Sequence, residues 1–153
     1  KNMRISVNGD LPFGVHSKDL ILYIIGKIGT AGGTGHVIEY AGSSVQSLSM
    51  EARMTVCNMS IEAGARAGLI SPDQITFDYI KGRPYAPTDS HWDQAVEYWS
   101  SLPSDQDAHY DHEIVINSSE IDPMVTWGTS PEDVIAVNGI VPSPESAKTE
   151  NKK

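Results

Sequence analysis

Asn58 and Glu62 are the two polar residues whose types and spacing come closest to a catalytic arrangement. They lie four residues apart in the longest stretch of helical character, residues 50–68, and a regular helix would present both on one face. A carboxylate in that place can move a proton or hold a water, and an amide can fix a neighbouring acceptor. The same pattern also fits a solvated helix face on which Glu62 pairs with Arg66, and periodicity alone favours that interpretation.

Histidine and cysteine offer weaker candidates. His109 and His112 are three residues apart, so on a strand they would face opposite sides and one metal ion could not easily reach both. We therefore expect surface histidines at the entry of a strand rather than a metal site. Cys57 is the only cysteine and has no recognisable base beside it, so we expect a packing role rather than a thiolate nucleophile.

Glycines are concentrated in residues 29–35, which invites a nucleotide-binding interpretation. Phosphate-binding loops run from a strand into a helix, so that the helix N-terminus faces the anion. Here the loop follows a predicted helix and precedes the predicted strand His36–Tyr40, and Lys27 lies before it rather than after it. We expect a helix end with glycines in left-handed conformations, not a nucleotide site.

The elements that must position these residues alternate between strands and helices, which implies a partly parallel sheet with helices packed on it. Ser17 is expected to cap the first helix, Ser49 to cap the second and Gly68 to end it. Ser71, with Pro72 at the first helical position, is expected to start the third. The predicted strands are Met3–Val7, His36–Tyr40, Ile114–Ile116 and Val125–Trp127. The first predicted helix follows the Ser17 cap and carries Leu20, Ile24 and Ile28, and the others are residues 50–68, 72–80 and 91–101; residues 134–139 fit either type.

Composition limits the function classes. The chain has 153 residues and is 39% hydrophobic, which suits one domain. Its net charge of −9 provides no basic surface for nucleic acid. The most apolar run, Leu20–Ile25, is far shorter than the roughly 20 residues that a membrane-spanning helix needs.

One cysteine permits no internal disulfide, which fits a reducing compartment, and we expect a cytoplasmic protein. We assign residues 1–142 to an α/β domain and residues 143–153 to a polar, flexible tail. Both ends of the chain are expected to be cuts in a longer protein.

Several segments resemble the aconitase superfamily. Val56–Ala65, Val-Cys-Asn-Met-Ser-Ile-Glu-Ala-Gly-Ala, is similar to the central helix of that superfamily. Within the superfamily, three segments are most similar to the large subunit of the 3-isopropylmalate dehydratases, with homoaconitases and aconitases as neighbouring alternatives. Those segments are 64–70, 76–84 (Thr-Phe-Asp-Tyr-Ile-Lys-Gly-Arg-Pro) and 125–131 (Val-Thr-Trp-Gly-Thr-Ser-Pro); the glycine-rich turn and strand at 32–40 and the strand entry at 108–111 match the superfamily more generally.

The resemblance implies a three-layer α/β/α domain of a hydro-lyase that isomerises 2-isopropylmalate to 3-isopropylmalate in leucine biosynthesis. It implies a four-iron–four-sulfur cluster in the full-length enzyme, whose open iron acts as a Lewis acid. It places the carboxylate matching Glu62 at the cluster and substrate site and the amide matching Asn58 beside the cluster. The expected partners are the substrate and a small subunit or C-terminal swivelling domain, with no nucleic acid and no membrane.

The chain also departs from the family pattern. The three cluster cysteines of the family are absent, Cys57 matches none of them, and the family's Asp-Ser-His-Thr motif and downstream serine base are missing. We therefore expect that this chain alone holds no cluster and turns over no substrate. The alternative is a non-catalytic α/β module on the same scaffold, and cluster cysteines in flanking sequence would decide for the enzyme.

Overall fold

The computed structural model describes residues 1–143 and 145; the predicted flexible tail at 143–153 therefore lies almost wholly outside the described residues. The strands are β1 (Asn2–Asn8), β2 (Val37–Ala41), β3 (Ala67–Leu69), β4 (His112–Asn117), β5 (Met124–Thr126) and β6 (Val134–Ala136). The helices are α1 (Ser17–Ile28), α2 (Ser43–Gln46), α3 (Met50–Asn58), α4 (Gln74–Ile80) and α5 (Asp89–Ser100), with a short 3₁₀ helix at Ser118–Glu120.

Four strands form one parallel sheet in the order β3–β2–β1–β4, and β5 pairs antiparallel with β6 in a separate ribbon. The central strand β1 alternates buried and partly exposed residues, as a strand with two different faces should. The predicted α/β class and parallel sheet are confirmed.

The hydrophobic core lies on one face of the sheet. Met3, Ile5 and Val7 point from β1 into a cluster with the apolar side of α1, where Leu20, Ile21, Ile24 and Ile25 are fully buried. Helix α3 packs beside α1 on the same core. The opposite face carries the polar residues Arg4 and Glu39 in register, and the segment 104–110 crosses it there.

The predicted helix 50–68 is wrong in its second half. Helix α3 ends at Asn58, and the last part of the predicted helix forms strand β3, which pairs with β2. Gly68 does not end the helix but lies inside β3, where an added Cβ would overlap Ser60 Oγ. Sheet pairing and close packing therefore override the helical pattern of small residues here.

Two predicted helix caps are also corrected. Ser17 is the first residue of α1, and the cap position is His16, whose backbone N–H donates to Asp19 Oδ2 at 2.8 Å. Helix α4 starts at Gln74 after an Asp73 cap, whose carboxylate accepts from the Thr76 backbone N–H at 3.3 Å. In both places a carboxylate near the helix start replaces the predicted serine.

None of the helices in the described part of the chain has the length and apolar content to cross a bilayer.

Candidate functional site

The segment that carries Glu62 is a compact turn that continues the path of α3. After Asn58 the backbone bonds tighten to a spacing of three residues, with Glu62 N–H donating to Met59 O at 3.2 Å and Ala63 N–H to Ser60 O at 3.2 Å. The turn ends with Gly64 at φ +80°, while Ala65 N–H donates to Ser60 O at 3.1 Å and Gly64 N–H to Ile61 O at 2.9 Å. These two bonds are those of a Schellman motif with glycine at its left-handed position.

The turn has an inner and an outer side. Met59, Ser60 and Ala63 are buried, whereas Asn58 and Glu62 are exposed and the side chain of Ile61 is 59% exposed. The structure thus places both predicted site residues on the outer side. Asn58 is the last residue of α3, and Glu62 lies four residues later in the turn rather than in a regular helix. Within the described residues, neither side chain makes a hydrogen bond or ion pair, so the amide and the carboxylate are available to a ligand.

The predicted pairing of Glu62 with Arg66 is not formed, because Arg66 lies beyond the turn and leads into β3. Its backbone N–H instead donates to His36 O at 2.8 Å. The solvated-face interpretation of Glu62 as half of an i, i+4 ion pair therefore loses its geometric basis.

A buried hydrogen-bond chain fixes the turn from below. Tyr40 OH and Ser60 Oγ are 2.9 Å apart, and Ser60 Oγ also donates to Val56 O at 3.3 Å. Both side chains are fully buried, and burial raises the pKa of Tyr40 to about 12. The phenol stays neutral at physiological pH and holds strand β2 to the start of the turn.

The glycine-rich loop at 29–35 fixes the turn from the side. Gly33 N–H donates to Ala63 O at 2.8 Å, and an added Cβ on Gly64 would approach Thr30 O to 2.7 Å. The loop is held in turn by Glu132, whose carboxylate accepts from the Thr30 N–H at 3.1 Å and hydroxyl at 3.0 Å. Most backbone N–H groups of the loop are thus used within the protein and are not directed at a phosphate.

Arg53 anchors helix α3, a role that no local pattern of residues predicts. It is only 3% exposed and makes a two-pronged ion pair with Asp73, with both N–O distances at 2.7 Å. It also donates to Leu48 O at 3.1 Å and Gln46 O at 2.7 Å. The Arg53 hydrogen bonds lower the pKa of Asp73 below its usual value.

Cys57 lies half-buried in a groove of about 150 Å³ that Met50, Met54 and Ile70 also line. Burial raises the pKa of the Cys57 thiol, with Arg53 opposing the effect in part. A raised pKa lowers the fraction of thiolate, which is the reactive and metal-binding form. This environment agrees with the predicted packing role.

The histidine pair does not converge on a metal site. His112 begins strand β4, whereas His109 precedes the strand and lines the groove beside Glu39. Across residues 1–143 and 145 there is no group of three or more His, Cys, Asp or Glu side chains that could hold a metal ion. A four-iron–four-sulfur cluster does not fit this chain, because a single cysteine cannot supply several thiolates.

Glu39 is a buried acid in strand β2 that was not among the predicted site residues. Its carboxylate accepts from Ser104 Oγ at 2.6 Å and Tyr110 OH at 2.9 Å, and Arg4 Nε lies 3.8 Å away. A groove of about 250 Å³ opens beside it. The polar cluster ties the segment 104–110 to the sheet, and its sequence signal was an acid inside an otherwise apolar strand.

In an open parallel sheet, the usual ligand crevice lies beyond the carboxyl ends of the strands, where the strand order reverses. That place lies between β1 and β4. Gly9 N–H donates to Ser43 Oγ at 2.9 Å, Ser44 Oγ donates to Gly9 O, and Ser118 Oγ donates to Asp10 O at 2.8 Å. These bonds tie the loop after β1 to the segments that follow β2 and β4.

The chain was compared with models of protein families. The model described as "Aconitase family (aconitate hydratase)" matches residues 1–153.

Proposed function

The chain belongs to the aconitase family, and from this membership we propose that it supplies one domain of a 3-isopropylmalate dehydratase. That enzyme interconverts 2-isopropylmalate and 3-isopropylmalate in leucine biosynthesis. The family match supports a hydro-lyase scaffold over the whole chain. The narrower choice of substrate is supported by the similarity of residues 76–84 and 125–131 to the dehydratase large subunit, with homoaconitate and citrate as competing substrates.

One observation carries the assignment of the site. Asn58 and Glu62 project outward, without partners in the described residues, from a turn whose inner side is fixed by Ser60 and Gly33. A catalytic group must be held close to its productive geometry, and anchoring on two sides provides this. An ordinary surface carboxylate has no need of such support.

The reaction removes a hydroxyl group and a proton from adjacent carbons and returns them with their positions exchanged. In our proposal the Glu62 carboxylate accepts a hydrogen bond from the reacting hydroxyl or water and carries a proton between steps. The Asn58 amide donates to a neighbouring acceptor and orients it. Both roles need unpaired side chains, which is how the structure presents them.

Members of the aconitase family generally bind a four-iron–four-sulfur cluster, and in our proposal the cluster is held by cysteines outside these residues. The remaining catalytic groups come from a small subunit or a swivelling domain. This chain alone then turns over no substrate, and it acts in the cytoplasm on a small molecule.

The test is the complete, cluster-containing enzyme with Glu62→Gln. We expect kcat to fall at least about 100-fold while iron content is unchanged, because general acid–base groups contribute roughly 10²–10⁴-fold. Glu51→Gln is the matched control: Glu51 is exposed in the first turn of α3, away from the 58–64 turn, and its variant should keep full activity. Near-normal activity of Glu62→Gln would reject the assigned role.

Substrate choice is tested separately by supplying isopropylmalate, homoaconitate and citrate to the unmodified complete enzyme. The highest kcat/KM is expected with isopropylmalate. Activity on only one of the other two would correct the substrate, and no activity on any of them would favour a non-catalytic module.

A further inference from the structure

Tyr85 occupies a backbone conformation that normally belongs to glycine. Ala86 N–H donates to Arg83 O at 3.1 Å, which closes a four-residue turn with Pro84 and Tyr85 at its centre. Tyr85 has φ +68°. A proline followed by a residue with positive φ is the pattern of a type II turn, in which glycine or asparagine is the usual third residue. A bulky aromatic side chain there is a strained exception.

Nothing in the described chain offsets this strain. The Tyr85 side chain is fully exposed, at 105% of its reference area, and takes part in no hydrogen bond or ring contact. Strained residues of this kind persist where they serve a function, because a glycine would otherwise be more stable. A tyrosine at this position gains nothing from contacts within the described residues.

Two cations are held next to Tyr85. Arg83 stacks on the Tyr79 ring at 3.7 Å and donates from Nε to Tyr79 O at 2.6 Å, while Lys81 Nζ lies 5.7 Å from the Trp92 ring. Within the part of the chain that the structure describes, neither cation has a carboxylate at ion-pair distance, although the net charge is −9. The aromatic rings orient the charges and leave them unpaired.

We propose that residues 81–85 form a docking loop that binds an acidic protein surface elsewhere in the assembled enzyme. Tyr85 enters an apolar socket, and Lys81 and Arg83 face carboxylates at the rim of that socket. Tyrosine and arginine are the residue types that most often dominate binding at protein interfaces. Paired charges around such an anchor set orientation and salt dependence.

The exposed tyrosine and the two unpaired cations support the proposal only in combination. An exposed tyrosine alone would fit many surfaces, and two cations alone would be a solvated patch. A rigid turn with both, in an otherwise acidic chain, fits a partner surface that is apolar at the centre and negative around it. The proposal rests on the proposed function only for the statement that the chain works within a larger enzyme.

Hydroxyl-radical footprinting tests the contact directly. The oxidation rate of Tyr85 is measured in the isolated chain and in the complete enzyme, with added free tyrosine as a dose reference. We expect the rate to fall at least tenfold on assembly, and the protection to weaken at high salt. A Tyr85 that stays as reactive in the complete enzyme as in the isolated chain would overturn the proposal.

Tyr85→Asn gives a second readout whose sign differs between the two states. Asparagine tolerates positive φ, so the thermal midpoint of the isolated chain should rise by about 2–4 °C. In the complete enzyme the same substitution removes the anchor, so the midpoint should fall, and Tyr85→Phe should restore it. A rise in both states would show that Tyr85 is strained without being a contact.

Phe13→Ser is the matched control, because Phe13 is equally exposed on a different loop and has no strained backbone. It should not raise the midpoint of the isolated chain. These readouts measure protection and stability rather than turnover. The docking loop can therefore be tested whichever substrate the complete enzyme uses.

Discussion

Tyr40 and Ser60 share a hydrogen bond of 2.9 Å that is buried beneath the turn carrying Glu62. The bond joins the central sheet to the inner side of the candidate site. Ser60 has a second partner in Val56 O, whereas the Tyr40 hydroxyl has none other in the described structure. The two ends of the bond therefore differ in what their removal leaves behind.

Removal of the Ser60 hydroxyl should destabilise the protein more than removal of the Tyr40 hydroxyl. Ser60→Ala leaves a buried phenol without a partner, and we expect a loss of about 1–3 kcal/mol in the free energy of unfolding. Tyr40→Phe leaves Ser60 bonded to Val56, so the loss should be smaller, at about 0.5–1.5 kcal/mol. Urea unfolding of the variants measures both; equal losses would contradict the asymmetry.

Stability should fall in alkali because of Tyr40. Burial raises its pKa from 10.0 to about 12, so between these values the unfolded chain has lost the phenol proton while the folded chain keeps it. The contribution of Tyr40 is therefore complete below pH 10 and is lost as the pH rises towards 12, by roughly 2–3 kcal/mol in total. The difference between wild type and Tyr40→Phe, followed by urea unfolding from pH 8 to 12, isolates this effect from the other titrating groups.

Gly64 and Gly35 allow the cost of a clash to be separated from the cost of backbone conformation. Both have positive φ, +80° and +78°, but an added Cβ would meet Thr30 O at 2.7 Å in the first case and nothing within 4 Å in the second. We expect Gly35→Ala to cost about 1–2 kcal/mol and Gly64→Ala about 2–4 kcal/mol.

The same pair tests whether the turn positions a functional group. In the complete enzyme, Gly64→Ala should lower kcat because it shifts the turn that holds Glu62, whereas Gly35→Ala should leave kcat close to normal. Similar kcat values for both variants would show that the position of the turn does not affect the reaction.

The ion pair between Arg53 and Asp73 should make the free energy of unfolding fall at acid pH. Asp73→Asn leaves a buried guanidinium without its anion, and we expect a loss of about 1–3 kcal/mol, moderated because the carboxylate itself is partly exposed. The lowered pKa of Asp73 means that this stabilisation is present above its usual value of 3.8 and is lost as the pH falls through the folded-state value. Asp78→Asn, which alters an exposed bond to Gln74, should change stability by less than about 0.5 kcal/mol.

Local sequence patterns predicted the elements whose pattern is long and unambiguous. The alternation in β1 and the apolar positions Leu20, Ile24 and Ile28 of α1 predict the observed strand and helix, although the helix begins at Ser17, the residue expected to cap it. The predicted cap at Ser17 failed because Asp19, two residues further on, reaches back to the His16 amide. A side chain that bonds to the backbone of the preceding turn is hard to predict from the residue pattern alone.

The candidate site was harder to predict, because its shape depends on distant contacts. The residues after Asn58 keep a helical pattern of small side chains, yet pairing with β2 draws Ala67–Leu69 into the sheet. The close approach of Gly33 and Ala63 also has no local signal. The identities of Asn58 and Glu62 as site residues came from a family resemblance, and they stay a prediction that the Glu62→Gln enzyme can test.

The bond between Thr30 and Glu132 has a consequence for the order of folding. It joins residues 102 positions apart in the chain and holds the glycine-rich loop, which in turn contacts Ala63 and Gly64. Contacts between distant residues form slowly, since a long loop must close before they can contribute. Strands β1, β2 and β3 and helix α1 can assemble from nearer neighbours, whereas β4 and the β5–β6 ribbon come from the last third of the chain. The support that Glu132 gives to the turn presenting Glu62 forms only when that ribbon arrives. On the ribosome, the candidate site is therefore among the last parts of this chain to reach its final shape.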